Sequence, residues 1–141
     1  MKYLLLCALV LCGCQNYLLT AIQFENPLPE DTDTIAGATE WVHYNITYVP
    51  SGDWKSPAHT MASGEGDCED LAILLMWIVR DRWGIEGNLI VRELHAGGLH
   101  ATAQFGDAHY DPTIGYLCWP PEDMVIMRLG YQETMNAVVW Y

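Results

Sequence analysis

The chain has 141 residues, of which 51% are hydrophobic and 17% are charged, and these proportions describe one folded domain rather than a disordered chain. Its 18 acidic residues outnumber its 6 lysines and arginines, which gives a formal net charge of −12. Because so few cations cannot form a phosphate-binding stripe, nucleic acids and anionic membrane surfaces are not expected as partners. The acidic balance tolerates a neutral or cationic substrate.

The first fourteen residues have the layout of an export signal. Met1-Lys2 is a short positive segment, and the apolar run over residues 3–11 is too short to span a bilayer. Leu11-Cys12-Gly13-Cys14 resembles a bacterial lipoprotein signal, which implies that Cys14 becomes the lipidated first residue of the mature chain. We therefore expect export and lipid anchoring to a bacterial membrane, on its periplasmic or outer face. An ordinary cleaved signal or a retained anchor is the alternative.

Residues 15–31 are predicted to form a tether, because they are polar, contain Pro27 and Pro29 and show little periodicity. No internal repeat follows, so residues 32–141 are predicted to form a single domain.

The first half of this domain is predicted to be mainly helical. Residues 33–45 place apolar side chains on one helical face, with Asp31 or Asp33 as the cap. A short extended run follows over 46–49, and Ser56-Pro57 is typical of the start of a brief helical turn.

Residues 68–83 give the strongest helix signal in the chain. Asp67 is a natural N-cap, and Gly84 is the residue expected just after the last turn. Residues 71–79 are apolar on every side, and a helix that is apolar all round is buried. We therefore predict that this is the central helix of the domain.

The second half is predicted to be an antiparallel sheet. Strand patterns occur over 88–94, 99–105 and 108–113. One or two further strands are predicted over 124–141, where Val138, Val139 and Trp140 are the clearest members. Helices followed by such a sheet define the α+β class.

A two-residue loop, Gly106-Asp107, fixes the register of the predicted hairpin. Glycine at the first position is typical of a type II′ turn, which places Phe105 opposite Ala108. His100 and Asp111 then lie on one face as diagonal neighbours, about 7–8 Å apart at the backbone.

Cys68, at the start of the central helix, is the candidate nucleophile of a Cys-His-Asp triad. The helix dipole favours a thiolate there, but the neighbouring acidic residues oppose it, so the thiolate needs a cation such as a protonated histidine. His100 would be the base, and Asp111 would hold its imidazole. The backbone N–H of Cys68 is an oxyanion donor, and the Trp54 side chain is the candidate for a second.

Several short motifs in the same part of the chain carry a family resemblance. In chain order they are Asn45-Ile46-Thr47-Tyr48, Trp54-Lys55-Ser56-Pro57, Gly66-Asp67-Cys68-Glu69-Asp70-Leu71-Ala72, Trp83-Gly84-Ile85, His100-Ala101 and Tyr110-Asp111-Pro112-Thr113. Over residues 33–115 the chain resembles the transglutaminase-like superfamily, and within it the bacterial transglutaminase-like cysteine peptidases.

The resemblance implies a papain-like α+β fold, in which the cysteine heads a helix packed on a sheet. It also implies thiol acyl chemistry on amides without a metal or cofactor. Animal transglutaminases usually carry Trp soon after the histidine, whereas Thr102 follows His100-Ala101 here. Hydrolysis is therefore favoured over cross-linking.

Simpler interpretations of the same residues stay open. Cys68 could be a buried core residue or could form a disulfide with Cys118, which otherwise reads as a packed side chain. His95 and His109 could form a zinc site with His100, although no metal-ligand spacing supports this and no metal is expected. Asp111 before Pro112 could simply start a turn, and His100 could be a structural strand residue.

The function predicted from the sequence is that of an exported cysteine peptidase or amidase acting on peptides or proteins of the cell envelope. A non-catalytic binding module on the same fold is the first alternative. A protein-glutamine acyltransferase that makes cross-links is the second.

Overall fold

A computed structural model describes residues 25–118 and 124–139. The predicted signal peptide with Cys14, the tether up to residue 24 and Trp140 lie outside the described residues. The elements are, in order, α1 (Ile35–Asn45), β1 (Thr47–Tyr48), α2 (Pro57–Ser63), β2 (Glu65–Gly66), α3 (Cys68–Trp83), β3 (Asn88–Glu93), β4 (Leu99–Phe105), β5 (Ala108–Asp111), β6 (Tyr116–Cys118), β7 (Val125–Gly130) and α4 (Tyr131–Ala137). The α+β prediction is confirmed.

Helix α3 has the limits that the sequence predicts, because both of its ends are capped by local chemistry. Asp67 accepts a hydrogen bond from the Asp70 N–H, and Gly84 takes the left-handed conformation that ends the helix, with φ of 69°. Residues 71–76 are 0–1% exposed, so the helix is surrounded by the rest of the domain. The prediction of a buried central helix is confirmed.

One face of the sheet packs against α3. The five strands run in the order β6-β5-β4-β3-β7, and each neighbouring pair is antiparallel. The apolar side chains of Leu89, Val91, Ala101 and Ala103 join the core cluster that also holds α3. Because side chains alternate along a strand, His100 and Thr102 belong to the other face.

The hairpin between β4 and β5 has the predicted register. Phe105 lies opposite Ala108, and Gln104 lies opposite His109. Gly106 has a φ of 60°, as the first position of a type II′ turn requires. The turn thus sets which residues of β4 and β5 share a face.

The prediction for the C-terminal region is partly wrong. Strand β7 occupies 125–130, but α4 follows over 131–137, and Val139 forms only an isolated bridge with Lys55. Glu133 accepts a hydrogen bond from the Gly130 N–H and so caps α4, while Tyr131, Thr134 and Met135 are buried. Gln132, Glu133, Met135 and Ala137 are good helix formers, so local propensity and burial of one face both favour this helix.

Two smaller predictions also need correction. The cap of α1 is Thr34, whose hydroxyl accepts from the Gly37 N–H, rather than Asp31 or Asp33. Strand β6 was not predicted, because its three residues are too few to show a period of two.

The last residues of the predicted tether lie against α3. Leu28 is only 6% exposed, and the Asn26 side chain donates to the Ile78 carbonyl at 3.0 Å. Arg82 donates to the Glu30 carbonyl at 2.8 Å. In the part of the chain that the structure describes, no helix is both long and apolar enough to cross a membrane.

Candidate active site

Cys68 is the first residue of α3 and is nearly buried, with 6% of its surface exposed. Its thiol donates a hydrogen bond to the Glu69 carboxylate, with the sulfur and Oε2 2.8 Å apart. Cys68 and Cys118 are both free thiols, so the alternative of a disulfide between them is wrong.

The surroundings of Cys68 favour its protonated form. Burial contributes most, and the hydrogen bond to Glu69 adds to it, so the pKa of Cys68 is raised to about 12. An interaction with the backbone of Ala101 acts in the opposite direction. The sequence predicts a contest between the helix dipole and the acidic neighbours, and in this arrangement burial and Glu69 prevail over the dipole.

His100 and Asp111 are brought together by the hairpin. The Nε2 atom of His100 and the Oδ2 atom of Asp111 are 2.6 Å apart. The backbone N–H and the hydroxyl of Thr113 donate to the other oxygen of Asp111, at 3.0 and 2.5 Å. One carboxylate oxygen of Asp111 therefore binds His100 while the other is held by Thr113, and this fixes the orientation of the imidazole.

Asp111 is held in its charged form. Burial acts to raise the pKa of Asp111, but the hydrogen bonds from His100 and Thr113 outweigh it, so the pKa lies below its ordinary value. A carboxylate that accepts from Nε2 leaves Nδ1 as the ring nitrogen with a lone pair. This is the tautomer that a general base at Nδ1 requires.

The thiol and the histidine are neighbours through β4 rather than through a direct hydrogen bond. The backbone of Ala101, the residue after His100, interacts with the thiol. Within the described residues, however, the hydrogen-bond partner of the Cys68 thiol is Glu69 and not His100. A proton transfer from Cys68 to His100 therefore requires a rearrangement that breaks the bond to Glu69 and brings the thiol and the imidazole together.

Asp70, two residues after Cys68, is a buried carboxylate. From the sequence it was expected only to interact favourably with the dipole of α3. Asp70 is 0% exposed and accepts from the Lys55 N–H at 2.7 Å and from the Asp67 N–H at 3.2 Å. The Lys55 ammonium lies 3.4 Å from its Oδ2 atom. The spacing of Asp67 and Asp70, which is typical of a capping box, was the sequence pattern that could have indicated this role of Asp70.

This network fixes the loop that leads to α2. The Ser51 hydroxyl donates to Asp67 at 2.8 Å, and Asp70 holds the backbone of Lys55. A Cβ atom at Gly66 would lie 2.7 Å from that of Asp70, so the close approach needs glycine. The Gly-Asp-Cys-Glu-Asp motif thus builds the support of the cysteine as well as the cysteine itself.

Trp54 lies in the same loop, half-buried against the core cluster. Its carbonyl accepts from the Val139 N–H at 2.9 Å. Its predicted role as an oxyanion donor stays a prediction.

Tyr48 is a neighbour of the thiol that the sequence analysis did not single out. Burial and then the negative charge of a Cys68 thiolate raise the pKa of Tyr48, although 51% of the residue is exposed. The motif Asn45-Ile46-Thr47-Tyr48 contained the residue, but nothing in its spacing connected the phenol with Cys68.

The remaining histidines do not join the site as a metal centre. His95 lies exposed in the turn between β3 and β4, and His109 is buried in β5. Among the described residues, no group of three or more histidine, cysteine, aspartate or glutamate side chains is arranged to hold a metal.

Replacement of Glu69 by glutamine is expected to make Cys68 more reactive. The change removes the negative charge bonded to the thiol, so the pKa of Cys68 falls and the alkylation profile moves to lower pH. One pKa unit corresponds to about tenfold faster iodoacetamide alkylation at pH 8. Glu65→Gln, at an exposed residue of β2, is the matched control. Equal rates in the two variants would show that Glu69 does not govern the thiol.

Comparison with solved structures identifies the fold. A candidate cysteine protease from Cytophaga hutchinsonii matches with a TM-score of 0.53 and 19% identity, covering 74% of this chain and 39% of that one. EGTA-treated LapG from Legionella pneumophila matches with a TM-score of 0.57 and 17% identity, covering 67% and 61%. Calcium-bound LapG gives 0.52 and 18%, covering 70% and 66%.

The chain therefore shares its fold with a candidate cysteine protease and with LapG. The chain has a transglutaminase-like fold. The match to this chain covers less than two thirds of the length of each of these proteins. No protein-family model and no curated protein sequence matches the chain.

Proposed function

We propose that the chain is an exported, lipid-anchored thiol hydrolase, a cysteine peptidase or amidase that cleaves amide bonds through an acyl-enzyme on Cys68. The observation that carries the proposal is the 2.6 Å bond between His100 and Asp111, on a strand whose backbone adjoins the thiol. The transglutaminase-like fold supports the same reaction class. Residues 1–14 support export and attachment of lipid at Cys14.

The first half of the proposed reaction begins with proton transfer from the thiol to Nδ1 of His100. The sulfur attacks the substrate carbonyl, a C–S bond forms, and the π electrons move onto the oxygen. The backbone N–H of Cys68, at the positive end of α3, donates to that oxygen. His100 then gives its proton to the leaving amine as the C–N bond breaks and the carbonyl reforms.

The second half releases the acyl group to water. His100 accepts a proton from the attacking water, the oxygen of the water joins the thioester carbon, and the C–S bond breaks. The thiolate recovers its proton from His100, and a carboxylic acid leaves. Asp111 stays ionised throughout and stabilises the imidazolium. Since the pKa of Cys68 is about 12, the thiol is activated during the attack rather than resting as a thiolate.

A reactive ester provides the test that needs no knowledge of the natural substrate. We expect p-nitrophenyl acetate to acetylate Cys68 of the full-length chain, as seen in peptide mass spectra, and to be turned over. Cys118→Ser is expected to keep this activity, whereas Cys68→Ala should lose it. Turnover that persists in Cys68→Ala would contradict the proposal. Peptide amides then test cleavage of the amide bond itself.

The same assay separates hydrolysis from acyl transfer. With a primary amine added, a hydrolase continues to release acetate, whereas an acyltransferase forms the acetylated amine. We propose hydrolysis, with peptides or proteins of the cell envelope as substrates. Accumulation of the amide product would replace this proposal with the cross-linking alternative.

One observation favours a second candidate, a non-catalytic binding module. The raised pKa of Cys68 and its bond to Glu69 describe a thiol that stays protonated and unreactive when no substrate is bound. If the wild-type chain is alkylated at Cys68 but never acylated, the binding module becomes the better proposal.

A further inference from the structure

Arg92 lies beside His100 in the sheet. The register of β3 and β4 pairs Arg92 with His100, and two side chains paired in this way share one face, with their Cβ atoms about 4.5–5.5 Å apart. Leu89 and Val91 join the core that holds α3, so the alternation along β3 places Arg92 on the opposite face. The guanidinium and the imidazole therefore belong to the same surface of the sheet.

Within the part of the chain that the structure describes, the charge of Arg92 is not matched by a carboxylate. The chain has 18 acidic residues, yet none of the described ones forms an ion pair with this guanidinium. Its Nε atom is buried and has no hydrogen-bond partner. Because a buried donor without an acceptor is costly, Arg92 is suited to an acceptor that these residues do not supply.

The other lysine and arginine side chains among residues 25–118 and 124–139 are already engaged. Their partners are Asp70 for Lys55, Glu86 for Arg80, the Glu30 carbonyl for Arg82 and Gln104 for Arg128. Arg92 is therefore the cation of this region that is left for a ligand.

The edge strand is irregular at the position of Arg92. Val91 lies opposite Met127 and Arg92 lies opposite Val125, so Ile126 is an extra residue in β7. Such a bulge interrupts the ladder and bends the strand, and bulges often occur where a side chain is directed at an active site. On its outer side Arg92 thus meets a distorted strand, in which Ile126 is 54% exposed.

The proposed reaction brings the departing part of the substrate to His100. His100 gives its proton to the leaving nitrogen, so that nitrogen must come within hydrogen-bonding distance of the imidazole. The residue paired with His100 can therefore meet a group that the departing part carries. A guanidinium binds a carboxylate through two parallel N–H···O bonds, which gives both charge and geometry to the recognition.

We propose that Arg92 binds a carboxylate on the leaving-amine side of the scissile bond. This rests on the proposed acyl-enzyme function and names its substrate class, an amide whose leaving residue carries a free C-terminal carboxylate or an acidic side chain. The overall charge of −12 by itself favours a neutral or cationic substrate. A preference for an anionic leaving group must therefore come from a local cation.

The test compares two esters that differ in one charge. The leaving phenol of 4-acetoxybenzoate carries a carboxylate, and that of 4-acetoxybenzamide carries a neutral amide at the same position. Single-turnover acetylation of Cys68 is measured with both esters on the full-length chain. Arg92→Gln is expected to lower the ratio of the benzoate rate to the benzamide rate about tenfold. Arg92→Lys should keep part of the preference, because a point charge remains.

Arg82→Gln is the matched control. It removes the same charge from the chain, at a side chain of α3 that donates to the Glu30 carbonyl. Because the change in net charge is identical, any general effect on an anionic reagent appears in both variants. The ratio of the two rates is expected to be unchanged in Arg82→Gln.

Peptide amides distinguish the two sources of the carboxylate. A leaving residue of free glycine presents a terminal carboxylate, whereas amidated aspartate presents one on its side chain. Faster cleavage of either peptide than of one with glycinamide as the leaving residue supports the inference. A preference for glycinamide over both would contradict it.

The remaining outcomes of the ester test are also decisive. If the ratio is unchanged in Arg92→Gln, the guanidinium meets no substrate carboxylate. If both esters slow equally, Arg92 supports His100 rather than the substrate. Either result overturns the inference while the hydrolase proposal stands. If neither these esters nor p-nitrophenyl acetate acetylates wild-type Cys68, the hydrolase proposal and this inference fail together.

Discussion

Replacement of His100 by alanine is expected to slow acetylation of Cys68 by about 1000-fold at pH 7. With a pKa of about 12, on the order of one Cys68 thiol in 10⁵ is ionised at that pH, so attack depends on a base that takes the proton. His100 is the base that Asp111 orients. Single-turnover release of p-nitrophenol measures this rate directly.

His95→Ala is the matched control, because His95 is exposed in the turn between β3 and β4. Added imidazole is expected to restore part of the rate to His100→Ala but not to Cys68→Ala. A merely structural role for His100 would not allow such rescue. If His100→Ala reacts as fast as His95→Ala, the His100–Asp111 pair is structural and the binding-module candidate gains support.

Replacement of Asp70 by alanine is expected to lower the free energy of unfolding by about 3 kcal/mol. The substitution leaves the N–H groups of Lys55 and Asp67 without their acceptor in a place where Asp70 is 0% exposed. It also leaves the Lys55 ammonium without the carboxylate that lies 3.4 Å away. Urea unfolding followed by tryptophan fluorescence measures the loss.

An exposed ion pair supplies the control for this prediction. Glu86 bonds to Arg80 at 3.1 Å, but 61% and 49% of their side chains are exposed. Glu86→Ala is therefore expected to leave the unfolding midpoint nearly unchanged. If Asp70→Ala were as stable as Glu86→Ala, water would be replacing the buried carboxylate, and the network would not be the support of the cysteine.

Much of the frame of the site is encoded locally. Asp67 and Gly84 set the ends of α3, because capping involves groups within four residues of each other. The turn at Gly106 sets the register of β4 and β5. These short-range rules were enough to place His100 and Asp111 on one face, where their side chains meet at 2.6 Å.

Other features escaped local reasoning because they depend on distant partners. The strand signal at residues 138–140 was extended across 131–137, whose helix buries Tyr131, Thr134 and Met135. The sequence indicated only that Asp70 would interact favourably with the helix dipole. Its role as a buried acceptor depends on Lys55, which is distant in the chain and donates its backbone N–H to Asp70. Such contacts join residues that are distant in the chain, so the local pattern does not reveal them.

The sequence by itself determined the class of the fold, the helix that Cys68 heads and the hairpin that joins His100 to Asp111. The tertiary structure decided the state of the nucleophile, because burial and the Glu69 carboxylate favour the protonated thiol. The physical reason is the distance along the chain over which each interaction acts. Caps and turns are settled between residues close in the chain, whereas the pKa of a buried thiol depends on the burial and charges that the whole fold brings to it.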